Sequence, residues 1–196
     1  APTDPERVFL EIVNEPHGLP DGAWAKAQPH LLRIIRAGAP SHTIIATGDG
    51  YSSIDALVAL EPLDDANVIY TFHFYEPHNF THQGATWGFA PWRHMKNLPW
   101  PATIEELNAA AGKLADKQAA NAVRWSAKEP WNAEFINKRI ARAVAWRDRH
   151  HIPIWCGEFG VYRSFCAPES RLHWLNDTTA ALNEHNIGWA MWDYAG

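Results

Sequence analysis

The stretch Phe9-Leu-Glu-Ile-Val-Asn-Glu-Pro-His17 carries the first reading of the fold. It is a near-continuous apolar run that stops at a proline. Pro16 has no N–H to give to a ladder, so it ends the strand. A strand is expected over Val8–Asn14, with Glu15 closing it at its C-terminal rim. A near-continuous apolar run suits a strand buried on both faces of a parallel sheet. Four further runs rich in Val, Ile, Phe, Tyr or Trp predict strands at Thr43–Thr47, Val68–Tyr75, Ile152–Gly157 and Gly188–Asp193.

Between these strands the apolar spacing changes to that of helices. Helices are expected over Ala23–Ala37, Ser53–Leu60, Ile104–Ala120, Ala133–His150 and Ser170–Glu184. Strands alternating with amphipathic helices predict an α/β protein with parallel strands, either a (β/α) barrel or an open doubly wound sheet. The chain of 196 residues is long enough for one domain with a real core, and residues 1–196 are expected to form that single domain. The connection of about 76–133 is long, and long connections at strand ends are usually functional. It holds Trp87, Trp92, Trp100, Trp125 and Trp131, which either pack on the body or line a cleft.

Composition excludes several classes. A net charge of -5 with no run of Lys or Arg argues against a nucleic-acid partner. No stretch of about 18 apolar residues occurs, so no membrane-spanning helix is expected. No signal-peptide pattern is visible, and the chain starts Ala-Pro-Thr without Met, as a mature or trimmed start would. Cys156 and Cys166 are too few for a disulfide framework; one bridge and two free thiols are both compatible with them. Eleven tryptophans, by contrast, are an unusual stock of flat apolar surface, the shape that stacks on a sugar ring.

The chemistry concentrates at strand ends, where parallel α/β folds place their sites. Glu15 ends the first strand, with Asn14 and His17 beside it. Glu158 ends the fourth in Ile152-Pro-Ile-Trp-Cys-Gly-Glu-Phe-Gly160, between glycines that allow a close turn. Two glutamates on one rim suit glycoside hydrolysis, with one as proton donor and the other as nucleophile or base. Each alone also fits an ordinary ion-pair partner. In Tyr70-Thr-Phe-His-Phe-Tyr75, a period of two puts Thr71, His73 and Tyr75 on one face. His73 and Tyr75 are therefore candidates to bond substrate or carboxylate. Trp192 shares a face with Gly188 and Ala190, small residues that suit a crowded interior, and is the candidate stacking platform. Trp87 joins as a substrate contact from the long connection. A metal hydrolase built on His73, His78 and His82 is the weaker alternative, because their spacing matches no known ligand pattern.

Taken together, Asn14-Glu15-Pro16, His73 with Tyr75, Gly157-Glu158-Phe159-Gly160 and Trp192 resemble the motifs of glycoside hydrolase family 5, in order and across nearly the whole chain. The resemblance implies strands four to eight of a (β/α)₈ TIM barrel, so a partial barrel of about five parallel strands. It also implies Glu15 as acid/base, Glu158 as nucleophile, retention of configuration, no metal and no cofactor. The implied substrate is a β-1,4-glucan or cello-oligosaccharide, with a secreted or periplasmic location. A sugar-binding remnant without catalysis is the alternative. The family's first three strands have no counterpart here, as in a fragment or a natural short form. Five strands cannot close a small barrel. Glu11, on the face of Glu15, would then point into an open interior, and copies of the chain are expected to associate as a dimer or trimer over it.

Overall fold

A computed structural model describes residues 3–193. Five strands form one sheet in the sequential order β1 (Leu10–Glu11), β2 (Ile44–Thr47), β3 (Val68–Phe74), β4 (Ile154–Phe159), β5 (Gly188–Met191). The first pairs are parallel, with Leu10 opposite Ile44 and Ile44 opposite Val68. The Tyr70 N–H donates to the Pro153 carbonyl at 3.0 Å where β3 meets β4. Of the barrel and the open doubly wound sheet that the βα alternation allows, this is the partial TIM barrel that the family resemblance implies. The helices are α1 (Ala23–Gly38), the single turn α2 (Asp49–Ser52), α3 (Ile54–Val58), the single turn α4 (His78–Thr81), α5 (Ile104–Gly112), α6 (Lys117–Ser126), α7 (Ala133–His150) and α8 (Pro168–Glu184).

The chain separates into two compact units. The first comprises Ala1–Phe74, Ala141–Glu158 and Ile187–Trp189. Its core sets Ile44, Ile45 and Ala46 of β2 and Tyr70, Phe72 and Phe74 of β3 against Trp24 and Leu32 of α1, Ile54 and Leu57 of α3, and Trp146 of α7. The polar atoms of Tyr70 and Trp146 in this core are paired, as burial favours. The Tyr70 hydroxyl accepts from the Leu63 N–H at 2.7 Å, and the Trp146 indole donates to the Leu60 carbonyl at 3.0 Å. Arg36 closes the C-terminal end of α1. It forks onto Asp65 at 2.8 and 3.1 Å and donates to the carbonyls of Ala39, His42 and Asn67.

The second unit comprises Tyr75–Ile140, Phe159–Asn186 and Ala190–Gly196. Here the long connection supplies much of its own core. Trp100 and Trp131 are buried with Phe80, Leu98, Ile136 and Trp174. The Trp100 indole donates to Asp177 at 2.8 Å and that of Trp174 to the Glu76 carbonyl at 3.1 Å. Trp87 and Trp125 stay exposed, so the tryptophans of this segment divide between packing and surface.

Several expected boundaries move. The strand expected over Val8–Asn14 is reduced to Leu10–Glu11, although the Ile12 N–H still reaches the Ile45 carbonyl at 3.0 Å. The chain then bends away, and Glu15 takes a left-handed φ of 48°. Glu15 therefore sits in a loop beyond the strand rather than closing it. Nor is β1 buried on both faces: Leu10 is half-buried and Glu11 exposed. The helix expected over Ile104–Ala120 is two helices. Asp116 breaks it, because its side chain accepts from the Ala119 N–H and caps a new start. The last strand ends at Met191, before Trp192. Gly188 faces open space rather than a crowded interior, since this is an edge strand with exposed residues. Among the described residues no helix is long and apolar enough to cross a membrane.

Candidate active site

The first unit brings three of the expected residues together. His73 lies near the C-terminal end of β3, with its side chain only 3% exposed. Its Nδ1 stands 2.8 Å from Glu15 Oε1 and 3.5 Å from Glu158 Oε2. The glutamate side chains keep water access, at 30% and 20% exposed. One ligand atom from each of the three residues lies within 4.8 Å of the other two. Two carboxylates and an imidazole this close can relay a proton. They are also a set that could hold a cation, whereas His78 and His82 stack on each other in the second unit at 5.6 Å.

Local backbone explains the convergence. Glu15 adopts a left-handed conformation that L-residues rarely take, the kind of strain that collects at functional sites. The His17 ring nitrogen lies 2.7 Å from the Glu15 carbonyl, and the Tyr51 N–H donates to the Pro16 carbonyl at 3.3 Å. His17 then stacks flat on Tyr51, with centroids 4.2 Å apart and planes 13° apart. Tyr51 is exposed and went unnoticed in the sequence; its only local signal was an aromatic among turn residues just after a strand. Asn14 is exposed beside Glu15.

On β4, Glu158 lies within the strand, one residue after a glycine that geometry requires. A Cβ on Gly157 would sit 2.4 Å from Thr71 Oγ1. The requirement is close approach, not the turn expected from the sequence. Gly160, in the second unit, is held the same way under the Trp192 carbonyl.

Glu11 is exposed. Partial loss of hydration nonetheless raises its carboxyl above the ordinary value. Nearby His73 opposes the rise, while Glu158 and Glu15 add to it. Both cysteines are buried free thiols, so no bridge joins them. Burial pushes the Cys156 thiol far up and that of Cys166 up to about 12.

The remaining candidates belong to the second unit. Tyr75 sets its ring edge on His82 at 5.3 Å, and its carbonyl accepts from Thr81. Trp87 is 54% exposed and stands edge-on to Tyr162 at 5.0 Å. Trp192 is 63% exposed and anchored by its N–H to the Phe159 carbonyl at 2.9 Å.

A family model described as cellulase (glycosyl hydrolase family 5) matches residues 3–196. Endoglucanase C of Acetivibrio thermocellus is 30% identical over 192 residues, covering 96% of this chain and 54% of that protein. Endoglucanase 3 of Fibrobacter succinogenes is 29% identical over 97% of this chain and 30% of its own length. Among solved structures, a hyperthermophilic endo-β-1,4-glucanase in complex with substrate superposes with a TM-score of 0.75 at 28% identity, covering 98% of this chain and 53% of that one. Thermotoga maritima Cel5A in complex with mannotriose gives 0.72 at 26% identity, over 96% and 52%. The chain spans about half the length of these relatives, and less of the Fibrobacter protein.

Proposed function

The chain belongs to glycosyl hydrolase family 5, and on that premise we propose that it hydrolyses β-1,4-linked glucan or cello-oligosaccharide with retention, by double displacement. The observation that carries this reading is the approach of Glu15 and Glu158 to one imidazole, with their nearest oxygens within 4.8 Å. Retaining enzymes hold their two carboxyl groups about 5–5.5 Å apart, whereas inverting ones leave about 6.5–9.5 Å for a water.

In this reading Glu15 protonates the departing glycosidic oxygen while Glu158 attacks the anomeric carbon. Water then enters with Glu15 as base, and its attack releases Glu158. His73 orients both carboxylates, with its Nδ1 2.8 Å from Glu15 and 3.5 Å from Glu158. Asn14 and His17 offer hydrogen bonds to sugar hydroxyls, and Tyr51, stacked on His17, adds an apolar face in the same unit. Tyr75, Trp87 and Trp192 are proposed as further sugar contacts; the exposure of both tryptophans supports that use.

The decisive experiment follows cellopentaose cleavage by NMR and reads the anomer released first. A β-anomer supports the reading. An α-anomer, or saturable glucan binding with no cleavage by the wild-type chain, sinks it; the second result leaves sugar binding alone. Association of copies belongs to the same proposal. Phe9 and Val13, which flank β1, and Trp189 on β5 are exposed apolar groups of the first unit that a second or third copy would cover. Sedimentation at micromolar concentration giving only a monomer removes that part.

A further inference from the structure

The structure assigns a positioning role to Thr71, and we infer that its hydroxyl sets the height of Glu158 against His73. The inference rests on the glycosidase reading above. Thr71 and His73 are two residues apart on β3 and so share a face. Gly157 and Glu158 are neighbours on β4. The Gly157 N–H donates to Thr71 Oγ1 at 3.1 Å. A single side chain on the histidine's strand thus grips the backbone next to the proposed nucleophile. The fit is close, because any side chain at residue 157 would collide with that same oxygen at 2.4 Å.

Thr71 is itself fixed from behind. Its carbonyl accepts from Thr47 Oγ1 at 3.0 Å. The Thr47 N–H donates to Gln28 Oε1 at 3.1 Å, and its carbonyl accepts from the Trp24 indole at 2.7 Å. Gln28, Thr47 and Thr71 are all buried, at 2%, 1% and 1% exposure. Buried polar side chains are costly unless satisfied, and a satisfied chain of them defines one register sharply. This chain runs from α1 through β2 and β3 to the backbone beside Glu158, entirely within the first unit. Packing alone would accept valine at position 71, which has the same shape. What valine lacks is the oxygen.

The test compares Thr71→Val, Thr71→Ser and wild type in three measurements: kcat and KM on an aryl cellobioside, hydrogen exchange of the Gly157 amide, and Tm. Thr71→Val is expected to lower kcat about 10- to 100-fold with KM within about 2-fold, as for loss of an orienting contact. It should also speed Gly157 exchange at least about 10-fold, since that amide loses its acceptor. Thr71→Ser, which keeps the oxygen, should restore both. Unchanged Gly157 exchange in Thr71→Val, an unchanged kcat, or a serine variant as impaired as valine would each overturn the inference. If valine does not fold, Thr71→Ala against Thr71→Ser gives the same comparison. The two failures are distinguishable: a wild type that cleaves nothing removes the glycosidase reading, whereas an active wild type matched by an equally active valine variant removes only the role of Thr71.

Discussion

Nδ1 of His73 stands 2.8 Å from Oε1 of Glu15, a hydrogen bond between a buried strand and a strained loop. The same nitrogen lies 3.5 Å from Glu158. One ring thus links the two groups on which the proposed chemistry depends.

Glu15→Gln should lower kcat by about 10²–10⁴-fold on poor leaving groups, the usual worth of a positioned proton donor. The loss should shrink on an activated aryl cellobioside that needs no proton. Glu158→Gln should abolish hydrolysis of both substrates. Circular dichroism should show both variants folded, because each carboxylate is partly solvated. Equal losses for Glu15→Gln on both substrates would contradict its role as acid.

Activity should trace a bell against pH, with one carboxyl ionised while the other is protonated. His73→Ala removes the shared partner. Losing that shared orienting contact should lower kcat about 10-fold or more across the profile. A variant profile that overlays the wild type would remove His73 from the mechanism.

Arg36→Ala should cost about 2–4 kcal/mol by urea unfolding, because it strips Asp65 of its partner and leaves carbonyls unpaired. The pH dependence follows from the same pair. The hydrogen bond from Arg36 holds the Asp65 carboxyl below its ordinary value. The pair therefore stabilises fully above that ordinary value and loses its contribution as pH falls through the folded value. Asp65→Asn should flatten this acid limb; an unchanged limb would assign it elsewhere.

Glu11 works with the opposite sign. Its carboxyl is raised, chiefly by lost hydration, so the folded state binds the proton more readily than the unfolded chain. Stability from this group is greatest below its ordinary value of 4.5 and falls as pH rises through the folded value. Glu11→Gln should raise Tm at neutral pH and leave Tm at pH 3 nearly unchanged. A lower Tm at neutral pH would refute the assignment.

Cys156 and Cys166 should both resist Ellman's reagent in the native protein and react only after denaturation, because each is buried and held as the thiol. Reducing agent should leave Tm unchanged. Fast labelling without denaturant would show the burial to be transient.

Sequence alone determined the parallel βα alternation, the family, and the choice of Glu15 and Glu158 as candidate residues, since these depend on local spacing and on short motifs of Glu, Pro and Gly. It misplaced the end of β1 and overlooked Tyr51, because loop conformation after a strand is set by what packs on it: here the left-handed turn at Glu15 and the ring of His17. It saw Thr71 only as a member of a face, with no hint that its oxygen would grip Gly157. Tertiary structure alone decided that His73 lies between Glu15 and Glu158 and that the cysteines stay apart. Distances of this kind follow from the register of β3 against β4 and the path of the loop after β1, which are fixed by many weak contacts among residues far apart in the chain.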